Sequence, residues 1–170
     1  FCMIGPDEPD ILQIPCVDWL VVDCASTIHI CRDKNKLINL RCKRTVVNDI
    51  VGDTSAISDL VGDWPIVLRN HQGQYHTMTL KGVVFLPNAS KDIISTPRLE
   101  KTRWWPHLEQ SHLYNSSQLN KYPFFKAKRG LKMIPYLTCT SSDSNSTSFL
   151  SVKIPAASLN SLDSIFDEWN

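Results

Sequence analysis

The chain has 170 residues, 42% of them hydrophobic, with 18 Lys+Arg against 17 Asp+Glu and a formal net charge of +1. That size fits one domain with tails, and the balanced charge gives no global argument for nucleic acid or an acidic partner. No run of about 18 apolar residues exists, so no membrane span is expected.

Residues 1–16 hold three prolines and three acids without periodicity and read as a linker. The first residue is Phe1, and no basic start or apolar run of a signal peptide follows, so the chain reads as a piece of something longer. From 17 onward short apolar runs recur between turn signals: Trp19–Val22, Thr45–Val51, Pro65–Leu68, Tyr75–Leu80 and Val83–Leu86. They are rich in Val, Ile, Thr and aromatics, which fit a pleated, half-buried surface. An all-β barrel or sandwich is expected. Gly52-Asp53 and Gln72-Gly73-Gln74 read as hairpin tips, and Asp63, after Gly62, as a turn residue.

Beyond Pro87, Ser95 can cap a short helix, Pro97 suits its first turn and Leu99 points to the core. Residues 103–137 carry Trp104, Trp105, Tyr122, Phe124, Phe125 and Tyr136 in short pieces, predicted as two or three more strands. The domain therefore spans 17–137, followed by a Ser-rich linker over 138–157 and an amphipathic tail helix over 158–170. That tail places Leu159, Leu162, Phe166 and Trp169 on one face and needs a partner surface.

Six cysteines occur without a CxxC pair, so no zinc site is expected and free thiols are the expected state. The histidines share no metal spacing with Cys or acids, and no metal or cofactor is expected. His29 reads as a structural imidazole. Three Asn-x-Ser/Thr matches, at Asn88, Asn115 and Asn145, read as chance. "RCKR" (41–44) and "KAKR" (126–129) read as solvated strand ends.

The chemistry concentrates at Asp23. An apolar run, Leu20-Val21-Val22, ends on this carboxylate, and Cys24, Ala25, Ser26 and Thr27 follow. A carboxylate ending a buried strand is costly unless it is bonded, paired or used. Ser26 and Thr27 are placed to donate hydrogen bonds to it. The same residues also fit a plain turn or cap. An aspartic protease needs such a group twice, around one water and one shared proton. No other aspartate follows an apolar strand and precedes small residues in this way, so the pair would require a homodimer.

The order of motifs resembles the protease region of copia-type retrotransposon polyproteins. The family's Trp-x-x-Asp-Ser-Gly-Ala-(Thr/Ser)-x-His is similar to Trp19 through His29, with one extra residue after the Trp. Its Gly-Asp-Gly-type hairpin is similar to Val51-Gly52-Asp53-Thr54. Leu80 to Pro87 and Asp92 to Leu99 resemble its closing strand and Ser-x-x-x-Leu segment, and Gly130-Leu131 with Pro135-Tyr136-Leu137 its Gly-Leu-Tyr-x-Leu. Asp167 to Asn170 resembles the start of its pre-integrase segment.

The resemblance covers residues 17–137. It implies a retropepsin-like closed β-barrel and a catalytic Asp23 in an active-site loop of Cys24, Ala25, Ser26 and Thr27. It further implies a flap at Val51, Gly52, Asp53 and Thr54 and homodimerisation through the Asp loops. The substrate would be the element's own polyprotein, in the cytoplasm or a virus-like particle, with no membrane partner. Nucleic acid would be bound only by other parts of the polyprotein. Cys24 stands where the family has Ser or Thr, and Ala25 where it has Gly. These departures support an alternative: a catalytically degenerate or domesticated β-barrel module with a structural role in the polyprotein.

Overall fold

A computed structural model describes residues 18–48, 55–127, 130–138, 160 and 163–167. The linker at 1–16, the flap residues 51–54 and most of the Ser-rich segment lie outside them, as do Leu159, Leu162 and Trp169.

The described chain is mostly β-strand: β1 (Asp18–Asp23), β2 (Ile30–Cys31), β3 (Ile38–Asn48), β4 (Ser55–Arg69), β5 (Tyr75–Phe85), β6 (Ile93–Ser95), β7 (Trp104–His107), β8 (His112–Asn115), β9 (Asn120–Pro123), β10 (Phe125–Lys126) and β11 (Lys132–Thr138). One five-residue helix, α1 (Thr96–Glu100), follows β6. As expected, Ser95 caps it by accepting from the Arg98 amide, Pro97 lies in its first turn, and Leu99 is buried.

The main sheet runs β10-β11-β1-β6-β2-β5-β4-β3, and β11 also pairs with β4 through Leu137↔Val67. β6 lies between β1 and β2, parallel to the first and antiparallel to the second. The loop joining β1 to β2 therefore arches past β6 and carries Cys24 to His29 with it. Region 103–137 holds five strands rather than two or three. β7, β8 and β9 form their own three-stranded antiparallel sheet, which brings Trp104 against Tyr122 with ring centroids 5.2 Å apart. Trp105, on the opposite side of β7, is exposed.

Two runs that read as separate strands, Tyr75–Leu80 and Val83–Leu86, are continuous in β5. β5 passes through Gly82, whose φ of +62° only glycine adopts at little cost. Opposite it, β4 has a register irregularity between Gly62 and Trp64. Asp63 sits there, inside the strand and buried, not in a turn. Its carboxylate accepts from the Gly82 amide at 3.1 Å, pairs with Lys81 at 3.1 Å and lies 3.5 Å from Arg41. Burial alone would raise the Asp63 carboxyl. The Gly82 amide and the Lys81 and Asn39 side chains outweigh it and hold the group below its ordinary value. The 70–74 turn is as expected, with the Asn70 amide bonded to the Gln74 carbonyl and Gly73 at φ +83°.

Two hydrophobic clusters form the core. The larger holds Leu20, Trp64, Ile66, Leu80, Ile94, Leu99 and Tyr136. The second holds Trp19, Val21, Val67, Phe125, Met133 and Leu137, with Ile165 and Phe166 of the tail seated on it. Residues 163–167 are helical, so part of the surface the tail needs is the chain's own sheet. Asp163 accepts from Arg69 Nε at 2.8 Å and from the Tyr75 hydroxyl at 2.5 Å. Arg69 lies over the Phe166 ring at 4.2 Å. Phe166→Ala removes the central contact of this dock, including the edge-on pair with Phe125 at 5.3 Å. We expect it to weaken docking by about 2–4 kcal/mol. Hydrogen exchange should show faster exchange at residues 163–167, while the β1 and β11 amides keep their protection.

Candidate active site

Asp23 is the last residue of β1, paired with Ser95 of β6. It is half-buried, and Cys24, Ala25 and Thr27 beyond it are exposed. The donors to its carboxylate are not the hydroxyls expected from the sequence. The backbone amides of Ala25 and Ser26 donate to Oδ1, at 2.8 and 3.3 Å. The Ser26 hydroxyl instead donates to the Ile28 carbonyl at 2.7 Å. The reason is local: the tight turn after β1 folds two N–H groups back onto the preceding aspartate, as Asp favours in turns. Oδ1 thus braces the loop, while no hydrogen bond among the described residues engages Oδ2.

The loop is held from β6. Ser95 Oγ donates to the Ser26 carbonyl at 2.6 Å, and the Ser95 amide donates to His29 Nδ1 at 2.9 Å. His29 is therefore the structural imidazole expected, with Nδ1 as acceptor and the proton on Nε2. Burial, reinforced by the nearby Arg98 charge, pushes its pKa down to about 3.

This has a consequence for stability. The unfolded chain protonates His29 near its ordinary value of 6.5, and the folded chain does so only near 3. Stabilisation by the neutral ring is complete above 6.5 and is lost as pH falls between those values, at up to about 1.4 kcal/mol per pH unit. His29→Asn keeps an acceptor for Ser95 and does not titrate. Its stability, from urea midpoints between pH 7 and 4.5, should fall less steeply than that of the unaltered protein.

The helix cap at Ser95 was legible in the sequence, but not the role of Ser95 as the loop's anchor. Asp92 is a further positioning residue. Its Oδ1 accepts from the Arg32 amide at 2.8 Å and its carbonyl from the Val21 amide at 3.0 Å. It thereby ties the two strands that flank β6. The expected flap residues Val51 to Thr54 lie outside the described residues; next to them β3 and β4 pair Asn48 with Ser55. Cys24, Cys31 and Cys42 are free thiols, and burial first of all pushes the Cys31 pKa up to about 12.

A cleft of about 320 Å³ opens elsewhere, between β5, α1 and the small sheet. His29 lines it and Asp23 does not. A single copy thus presents the aspartate beside an exposed loop and outside this cleft. No helix among the described residues is long and apolar enough to cross a membrane. Comparisons with protein-family models, curated proteins and solved structures give no match.

Proposed function

We propose that the chain is one half of a homodimeric aspartic endopeptidase, a retropepsin-like closed barrel similar to the polyprotein-processing proteases of copia-type retrotransposons. The observation that carries this reading is the state of Asp23. It stands at a strand end in an exposed loop, with Oδ1 fixed by two amides and Oδ2 uncommitted. The return of the strand ladder to β11 is in keeping with barrel closure. Two such loops brought together would place two Oδ2 atoms about one water. One carboxylate would take a proton from the water as it attacks the peptide carbonyl. The other would give a proton to the leaving nitrogen. The residues around Val51 to Thr54 would then cover the substrate.

A second reading has its own observation. Ala25 and Cys24 occupy the exposed turn where two loops would have to meet. A methyl group there limits close approach, and a thiol is a weak donor across an interface. The chain would then be a β module without activity of its own.

Cleavage of peptides spanning polyprotein junctions, between acidic and neutral pH, separates the two. The protease reading expects pepstatin-sensitive cleavage whose rate per chain rises with protein concentration. The module reading expects none until Cys24→Ser and Ala25→Gly are introduced together. Cleavage insensitive to pepstatin-type inhibitors would reject the first reading.

A further inference from the structure

The cleft between β5, α1 and the small sheet has a consistent chemistry. Three of its polar side chains have spent an acceptor inside the protein and keep a donor to offer, while the Thr102 hydroxyl donates to the Leu99 carbonyl at 2.8 Å. Asn115 Oδ1 accepts from the Ser117 and Gln118 amides, which leaves its NH₂. Gln118 Oε1 accepts from the Tyr122 hydroxyl, which leaves its NH₂ as well. His29 Nδ1 accepts from Ser95, so Nε2–H is the donor that remains. Arg98 adds a cation, the Lys81 ammonium at the lining is already paired with Asp63 at 3.1 Å, and no Asp or Glu lines the space.

Arg98 supplies the charge of this cleft. It is half-buried, and its Nη1 donates to the Gly82 carbonyl at 3.1 Å. Among the described residues no carboxylate pairs with it. A partly desolvated guanidinium facing a donor-rich cleft is a place for an oxyanion, since planar N–H groups match carboxylate and phosphate. The lining also has an apolar part, Met78, Leu80, Leu99 and Trp104, the last with its ring held against Tyr122. The volume is at the lower end for a small-molecule site.

We propose that this cleft binds a small aryl oxyanion, a carboxylate or phosphate on a flat apolar body. The anion would face Arg98 and the body would lie on Trp104. The site shares His29 with the loop that carries Asp23, but neither Asp23 nor Cys24 to Thr27 lines it, so the inference stands whether or not the chain cleaves peptides.

The test is a ¹⁵N NMR titration of the 170-residue chain with phenyl phosphate and, separately, benzoate, which distinguishes the two anion types. Phenol and inorganic phosphate are the controls. Saturable shifts are expected at residues 77–81 and 98–102 and at the Trp104 indole for at least one aryl anion, with both controls weaker. Arg98→Gln should weaken binding about tenfold, the loss of one charge-assisted hydrogen bond. Gln118→Glu, at an exposed rim position, should weaken it by repulsion and decides the matter if Arg98→Gln misfolds. Lys43→Gln, on the exposed part of β3, should change nothing. The proposal is overturned by absence of saturable shifts, by phenol or phosphate binding as tightly as the aryl anions, or by a Gln118→Glu protein that binds unchanged.

Discussion

Asp23→Asn is expected to lower peptide cleavage by about three to four orders of magnitude, the scale of losing positioned acid–base catalysis. The protein should otherwise be unaltered. Asn retains an oxygen where Oδ1 accepts from the Ala25 and Ser26 amides, so the turn keeps its brace. The residue is half-exposed and ends its strand, so little packing changes. We therefore expect a stability change within about 0.5 kcal/mol, the scale of a surface substitution. Cleavage rate and urea midpoint should be measured on the same preparation. Full activity in the Asn variant would remove Asp23 from the mechanism. Loss of activity together with unfolding would show only that the aspartate braces the loop.

Substitution at Trp64 should have the largest effect on stability. The side chain is fully buried between the sheet layers and meets Tyr136 edge-on, with centroids 5.2 Å apart. Trp64→Ala leaves a large cavity and is expected to cost about 3–5 kcal/mol. Trp64→Phe is the more informative change. The indole Nε1 is buried and has no hydrogen-bond partner among the described residues. An unmet buried donor costs about 1–3 kcal/mol, which Phe removes. That gain offsets much of the lost volume, so Trp64→Phe should change stability by less than about 1 kcal/mol. Urea unfolding followed by far-UV circular dichroism checks both. A Phe variant as unstable as the Ala variant would mean that the indole N–H is met by something in the folded protein.

Much of the fold was legible where burial and local chemistry agree. Leu20, Val21 and Val22 announce β1. Ser95, Pro97 and Leu99 announce α1. Asn70 to Gln74 announce their hairpin. The first half of β3 was not read, although Ile38, Leu40 and Cys42 alternate there with polar residues; Ile38–Arg44 is exposed along its whole length, so the alternation marks no buried face. Asp63 after Gly62 looked like a turn because a bulge and a turn use the same residues. Only the opposing Gly82 tells them apart. Five short strands in 103–137 resisted counting because each is four residues or fewer, except β11, and their pairing depends on distant partners. At the site, sequence order located Asp23 and its loop. It could not say that backbone amides, not hydroxyls, bind the carboxylate. Nor could it show that Arg98, Asn115 and Gln118, distant in sequence from His29, line one cleft with it.

The placement of β6 between β1 and β2 also orders events in time. Ser95 reaches back 69 residues to the Ser26 carbonyl and 66 to His29. Contacts of that span close late, since a long loop must be ordered before they stabilise anything. On a growing chain, Asp23 emerges early, yet its loop has no anchor until Asp92 to Ser95 have been made and threaded into place. A nascent polypeptide would therefore carry the aspartate for some seventy residues of synthesis before its loop could be anchored. If the chain is the protease proposed above, that delay would keep an unfinished chain from acting on its own surroundings.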